Sequence, residues 1–123
     1  MTVVAIGRMV KFANEVADTL AADGISCTVI DPRTTSPLDE DTILESVEET
    51  GRLVVVDEAN PRCNLATDIS ARVAESAFDS LKAPVKMVTP PHTPVPFAPE
   101  LEDLYSPTPA KIEAAVREVA GRG

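Results

Sequence analysis

Apolar residues along this chain alternate between two patterns: short uninterrupted runs, as in buried strands, and the three-to-four spacing of amphipathic helices. Thr2 to Ile6 is a β-branched run that ends at Gly7, after which apolar positions fall at Met9, Phe12, Ala13, Val16, Ala17 and Leu20. That spacing places one apolar face on a helix, and Gly24 reads as its stop. Cys27 to Ile30 is a second strand, followed by the loop Asp31-Pro32-Arg33-Thr34-Thr35-Ser36-Pro37. Asp39 suits the N-cap of a second helix with Ile43, Leu44 and Val47 on its apolar face and Gly51 at its end. Leu53 to Val56 is apolar without alternation, the mark of a strand covered on both faces.

The spacing of Leu65, Ile69, Val73, Ala77 and Leu81 predicts a third helix from about Asn64 to Leu81, and Val85 to Val88 reads as the last strand. The stretch 89–109 holds Pro90, Pro91, Pro94, Pro96, Pro99, Pro107 and Pro109 out of 11 prolines. Such density predicts neither a helix nor a central strand, but an ordered loop or wrapping arm. Thr108-Pro109 then reads as N-cap plus first helical residue, and Ile112, Ala115, Val116 and Val119 form the stripe of a final helix. The order β-α-β-α-β-α-β-loop-α predicts an α/β fold: three layers, α/β/α, around a mostly parallel sheet with right-handed crossovers. Residues 1–123 read as a single domain without internal repeats.

Composition narrows the functional classes. The net charge of −9 leaves no basic patch to neutralise phosphates, which argues against nucleic acid and leaves a solvated acidic surface or a basic partner. With three Phe, one Tyr and no Trp, the core must be aliphatic. Two cysteines make no disulfide framework, so a reducing cytoplasm is the expected compartment. No apolar run reaches the roughly 20 residues that span a bilayer, no secretory signal pattern opens the chain, and no membrane partner is expected.

Candidate chemistry is sparse. The turn Gly7-Arg8-Met9-Val10-Lys11-Phe12 lacks two of the three glycines of a dinucleotide fingerprint, so Gly7 reads as a tight strand-to-helix turn. There is no phosphate-binding G-x-x-x-x-G-K-[ST] loop, and the near-absence of aromatics disfavours a flavodoxin-like site. His92, the only histidine, lies beyond the last strand, where it can act as an acid-base group or hold the loop by hydrogen bonds. Cys63, beside Arg62 at a helix start, can serve as a nucleophile or as a half-buried structural thiol. Asp57 and Glu58 end the buried strand as consecutive carboxylates that must point apart, so at least one should cap a loop or pair with Arg8, Arg33 or Arg62. One histidine and two distant cysteines form no metal-ligand set.

Several segments, in order along almost the whole chain, carry a family resemblance. They are Gly7-Arg8-Met9; Val29-Ile30-Asp31-Pro32-Arg33-Thr34 with Ser36-Pro37-Leu38-Asp39; Thr50-Gly51 through Val56-Asp57-Glu58-Ala59-Asn60-Pro61-Arg62-Cys63; Ala83-Pro84; and Pro91-His92-Thr93-Pro94-Val95-Pro96-Phe97. Together they resemble the C-terminal domain of the β subunit of thiamine-diphosphate-dependent 2-oxoacid and acetoin dehydrogenases, the E1 components. The resemblance implies a transketolase C-terminal-domain fold. It also implies that an antiparallel first strand of the family precedes Met1, so that this chain is a piece of a longer β subunit.

By the same resemblance, the diphosphate and Mg²⁺ sites lie on the α subunit and the activating glutamate on another domain of β. The chain is then expected to bind no cofactor and to carry no catalytic residue, with His92 and Glu58 as weak candidates. Its implied role is assembly, with the α subunit, a second β subunit and the small, basic peripheral-subunit-binding domain of the acyltransferase as partners. Interface candidates are Cys63, Leu65, Ala66, Ser70, Ala74, Pro94 and Phe97, with the small residues Ala66, Ser70 and Ala74 allowing close helix approach. The glycine-free stretch Asn60 to Thr67, and His92 where pyruvate-type members commonly have aspartate, resemble the acetoin type. An alternative from another class is a stand-alone α/β enzyme or ligand-binding module using Cys63 or His92.

Overall fold

The computed structural model describes residues 1–122. Four strands, β1 (Thr2–Ala5), β2 (Thr28–Ile30), β3 (Leu53–Val56) and β4 (Lys86–Val88), form one sheet in the order β2-β1-β3-β4. All pairings are parallel, with Val3 opposite Val29 on one side and Val54 on the other. The two central strands, β1 and β3, are buried at every residue, as the unbroken run Leu53 to Val56 predicts.

Helices cover both faces. α1 (Met9–Ala21) and α5 (Pro109–Ala120) enclose a core of Val3, Val54, Leu20, Ile112, Val116 and their neighbours. α2 (Glu40–Thr50) and α3 (Leu65–Ser76) enclose a second core built on Val4, Val55, Ile43, Val47, Ile69 and Val73. Alternate residues of one strand thus serve opposite cores, the period-two consequence of the pleat. The one buried threonine, Thr2, bonds its hydroxyl to Ser46 and Thr50 of α2 at 2.7 and 2.8 Å, tying strand to helix without an unsatisfied polar atom.

The helix ends follow local chemistry. Asp39 caps α2 through the Thr42 N–H, and Thr108 caps α5 through the Lys111 N–H, with Pro109 as first helical residue. Gly51 closes α2 at φ +72°, where a Cβ would also meet the Lys82 side chain at 2.8 Å. α1 ends at Ala21, ahead of Gly24, whose left-handed turn lets Ile25 N–H reach the Leu20 carbonyl.

Two expectations are corrected. The third helix stops at Ser76, not near Leu81, and a single 3-10 turn follows over Phe78–Ser80. Ala77 leaves helical geometry at φ −130°, and the chain bends so that Lys82 N–H donates to the Gly51 carbonyl. The proline-rich arm also contains a helix, α4 (Pro99–Tyr105). Its proline stands at the first helical position, where the missing N–H costs nothing, and none occurs again before Pro107.

Candidate functional site at the carboxyl edge of the sheet

β1 leads through α1 toward β2 on one edge, while β3 leads through α3 toward β4 on the other. The connections diverge between β1 and β3, so the carboxyl ends of these two strands flank the crevice where open α/β sheets place ligands. Here that crevice is bridged. Arg8, just after β1, pairs with Glu58, just after β3, at 3.0 Å. Asp57 turns the other way and is buried, its Oδ1 accepting the Ala59 N–H at 2.9 Å. The consecutive carboxylates therefore separate as expected, one into a loop cap and one into an ion pair, and of the three candidate arginines Arg8 is the partner. Gly7 takes φ +56° in the same turn, and a Cβ there would first meet Glu58 at 4.0 Å, so backbone conformation rather than space favours glycine.

Beside this bridge, Asn60 Oδ1 accepts the Arg62 N–H at 3.3 Å and lies 2.7 Å from His92 Nδ1. An amide oxygen accepts only, so His92 Nδ1 is the donor in this contact. His92 thereby ties the arm to the loop after β3. Cys63 is exposed, with φ +55°, and stands one residue outside the α3 cap Asn64. The half-buried structural thiol expected there is corrected: Cys63 contributes nothing to the core. Among the described residues no hydrogen bond joins Cys63 to His92, so no base-nucleophile pair forms. Cys27 is the half-buried thiol, and burial pushes its pKa up.

An open groove of about 270 Å³ adjoins this edge, lined by Ile6, Gly7, Asp31, Pro32, Arg33 and Leu65 among others. Arg33 there takes φ +57° and leans on Asp31 at 3.5 Å. Among the described residues no three His, Cys, Asp or Glu side chains converge as a metal-ligand set.

The interface candidates do not share one surface. Leu65 and Ser70 are half-buried, and the Ser70 hydroxyl turns back to the Ala66 carbonyl at 2.7 Å. Ala66 itself is wholly buried in the second core, so as an interface candidate Ala66 is corrected: it packs inside this chain. Only Ala74 of the three is exposed, because the face that meets the sheet runs through Ala66, Ile69 and Val73. Pro94 and Phe97 are exposed on the arm.

Sequence reasoning missed Asn60 as the partner of His92, and it missed Leu101 and Leu104, which α4 exposes. The spacing of Leu101 and Leu104 after Pro99 was the available signal, hidden by reading the whole arm as non-helical.

Comparison with known proteins agrees with this architecture. The family described as "Transketolase, C-terminal domain" matches residues 1–112. The β subunit of acetoin:2,6-dichlorophenolindophenol oxidoreductase of Cupriavidus necator is 62% identical over 123 residues, all of this chain and 36% of that subunit. Its counterpart in Bacillus subtilis is 54% identical over 98% of this chain and 35% of that subunit. The pyruvate dehydrogenase E1 component subunit β of Rickettsia bellii is 44% identical over 97% of the chain and 37% of that subunit. The chain therefore spans about a third of the length of these relatives. Among solved structures, a split-gene transketolase described as an inactive β4 tetramer superposes with a TM-score of 0.83 at 28% identity, covering 98% of this chain and 38% of that one. With the matched segment and the parallel sheet in agreement, the chain belongs to the transketolase C-terminal domain family.

Proposed function

We propose that this chain is the structural and assembly domain, over residues 1–123, of the β subunit of a thiamine-diphosphate-dependent dehydrogenase of the acetoin type, acting in the cytoplasm. Its partners on this reading are the E1 α subunit, a second β subunit and the acyltransferase's peripheral-subunit-binding domain, and it makes no reaction alone. The observation that carries the reading is the 62% identity to an acetoin oxidoreductase β subunit along the entire chain, against 44% to a pyruvate dehydrogenase β subunit.

The chemistry of the carboxyl edge supports an assembly role. The crevice between β1 and β3 is occupied by the Arg8–Glu58 pair, and His92 is engaged with Asn60. The residues present do not fit thiamine diphosphate with Mg²⁺: among the described residues no carboxylate set converges for the cation, and Gly7 stands without the further glycines of a diphosphate cradle. No reaction step is derived through that cofactor. The transketolase relative, whose β chains form an inactive tetramer, is consistent with a β-side domain that associates without acting. Cys63, Leu65, Ser70, Ala74, Pro94 and Phe97 remain the residues proposed for subunit contact.

The test is twofold. With thiamine diphosphate, Mg²⁺, acetoin and dichlorophenolindophenol, the chain should reduce no dye above background, and turnover would refute the reading. Coexpressed with the α subunit of the matching enzyme, the chain should copurify with it; failure to copurify with α, with the longer β or with the acyltransferase domain would remove the assembly role.

A further inference from the structure

α4 is seven residues long, too short to persist in water by itself. It is nonetheless held firmly at several points. Pro99 fixes its first turn, and Tyr105 is buried, its hydroxyl donating to the Thr93 carbonyl at 3.4 Å. Lys111 of α5 reaches back with its ammonium to the carbonyls of Leu104 and Ser106 at 3.1 and 3.2 Å, satisfying acceptors at the helix end that have no partner within it.

These fixings do not hide its apolar side chains. Leu101 is 55% exposed and Leu104 75%, three residues apart on α4, and Phe97, in the segment that leads into the helix, is 101% exposed. Glu100, Glu102 and Asp103 interleave with the two leucines, and none of them enters an ion pair among the described residues. An open groove of about 300 Å³ is lined by Phe12, Pro107 and Pro109, by the carboxylates of Glu102 and Asp103, and by Arg8, whose guanidinium is paired with Glu58. With the Arg8 charge taken up by Glu58, the two carboxylates without an ion pair suit a long cationic side chain, its stem on the ring and prolines and its head on Glu102 and Asp103.

We infer that the apolar patch of Leu101 and Leu104 on α4, with Phe97 just ahead of it, is a pre-organised docking element for an apolar groove edged by Lys and Arg on a different polypeptide, not for a second copy of this chain. The inference rests on the assembly reading and assigns it a surface and a chemistry. Charge selects the occupant. A two-fold pairing of the patch with itself would bring the same unpaired carboxylates together from both sides, on a chain whose net charge is already −9. A basic-edged partner removes that repulsion and fills the Phe12 groove. Holding the helix in place beforehand reduces the ordering cost of docking, which explains why latches converge on so short an element.

The probe is a synthetic amphipathic helical peptide of about 18 residues with a leucine face, lysine flanks and one tryptophan, the fluorophore this chain lacks. Titrated with the full 123-residue chain, it should bind, and binding should weaken about 10-fold in the Leu101→Ser, Leu104→Ser double variant. The triple variant Glu100→Lys, Glu102→Lys, Asp103→Lys, which keeps the patch, should weaken it comparably, and a peptide with glutamate flanks should not bind. Circular dichroism should show both variants folded, as expected for exposed positions.

Equal binding of the peptide to the double variant would overturn the inference, since net charge alone would then explain the affinity. Concentration-dependent self-association of the wild-type chain that the double variant abolishes would also overturn it, making a second copy the occupant. The two readings fail separately: a wild-type chain that copurifies with the α subunit no better than the double variant does refutes the patch and keeps assembly, whereas a wild-type chain that copurifies with none of the proposed partners refutes assembly itself.

Discussion

α4 and α5 follow one another in the chain and place their apolar residues in opposite ways. In α5, Ile112, Val116 and Val119 are enclosed against β3, β4 and α1. In α4, Leu101 and Leu104 face out, and the helix is fixed by a tyrosine, a lysine and a proline. One helix is positioned by what it buries, the other by latches that leave its apolar patch free. The comparison separates two kinds of residue that composition alone cannot distinguish: leucines and valines that make the fold, and leucines that the fold presents.

The largest effect that would break this comparison is a truncation in each helix. Ile112→Ala removes a wholly buried side chain and should lower stability by about 2–5 kcal/mol in urea denaturation. Leu104→Ala removes a mostly exposed one and should fall within about 0.5 kcal/mol of wild type. Similar losses at the two positions would mean that α4 belongs to the core after all. Next in size is the hinge between the helices: Thr108→Ala removes the cap of α5 and should cost about 1 kcal/mol.

A finer test loosens only the latch. Lys111→Met keeps the length of the side chain and removes the ammonium that bonds the Leu104 and Ser106 carbonyls. Hydrogen exchange should then accelerate across α4 while the amides of β1 and β3 keep their protection, with a global change below about 1 kcal/mol. Uniform acceleration throughout the chain would show that arm and core open together.

What the sequence discloses divides along similar lines. Asp39, Gly51 and Thr108-Pro109 are local punctuation, acting on the backbone within a few residues, and each ends or begins a helix where its chemistry says. The apolar run Leu53 to Val56 needs no partner to announce a doubly covered strand. The His92–Asn60 contact is different in kind, since it joins residues 32 apart through two loops whose approach only the assembled sheet determines. Ala66 shows the same limit: an alanine on a helix fits a core or an interface equally well, and the docking of α3 on the sheet decides it. α4 was obscured for a narrower reason, because proline density in the arm outweighed the position of Pro99, at which proline begins a helix instead of ending one.

The smallest effect lies on the outer face of α5, at an exposed ion pair. The ammonium of Lys86 on β4 lies 2.7 Å from Glu118 and, with Arg122 on the other carboxylate oxygen, holds the Glu118 pKa below the ordinary carboxylate value. A lowered folded-state pKa means that between the folded and unfolded values the unfolded chain binds more protons, so stability rises with pH across that window. The contribution is therefore present in full at neutral pH and disappears as pH falls through the folded-state value. Because Glu118 faces water, salt should shrink it further. Thermal melts of wild type and Glu118→Gln should differ slightly at about pH 7 and converge in acid, once the pH has fallen below the folded-state value. A difference that persists unchanged in acid would mean that Glu118 acts on α5 through packing or helix propensity, and the contrast between buried and latched helices would then have no electrostatic part on this face.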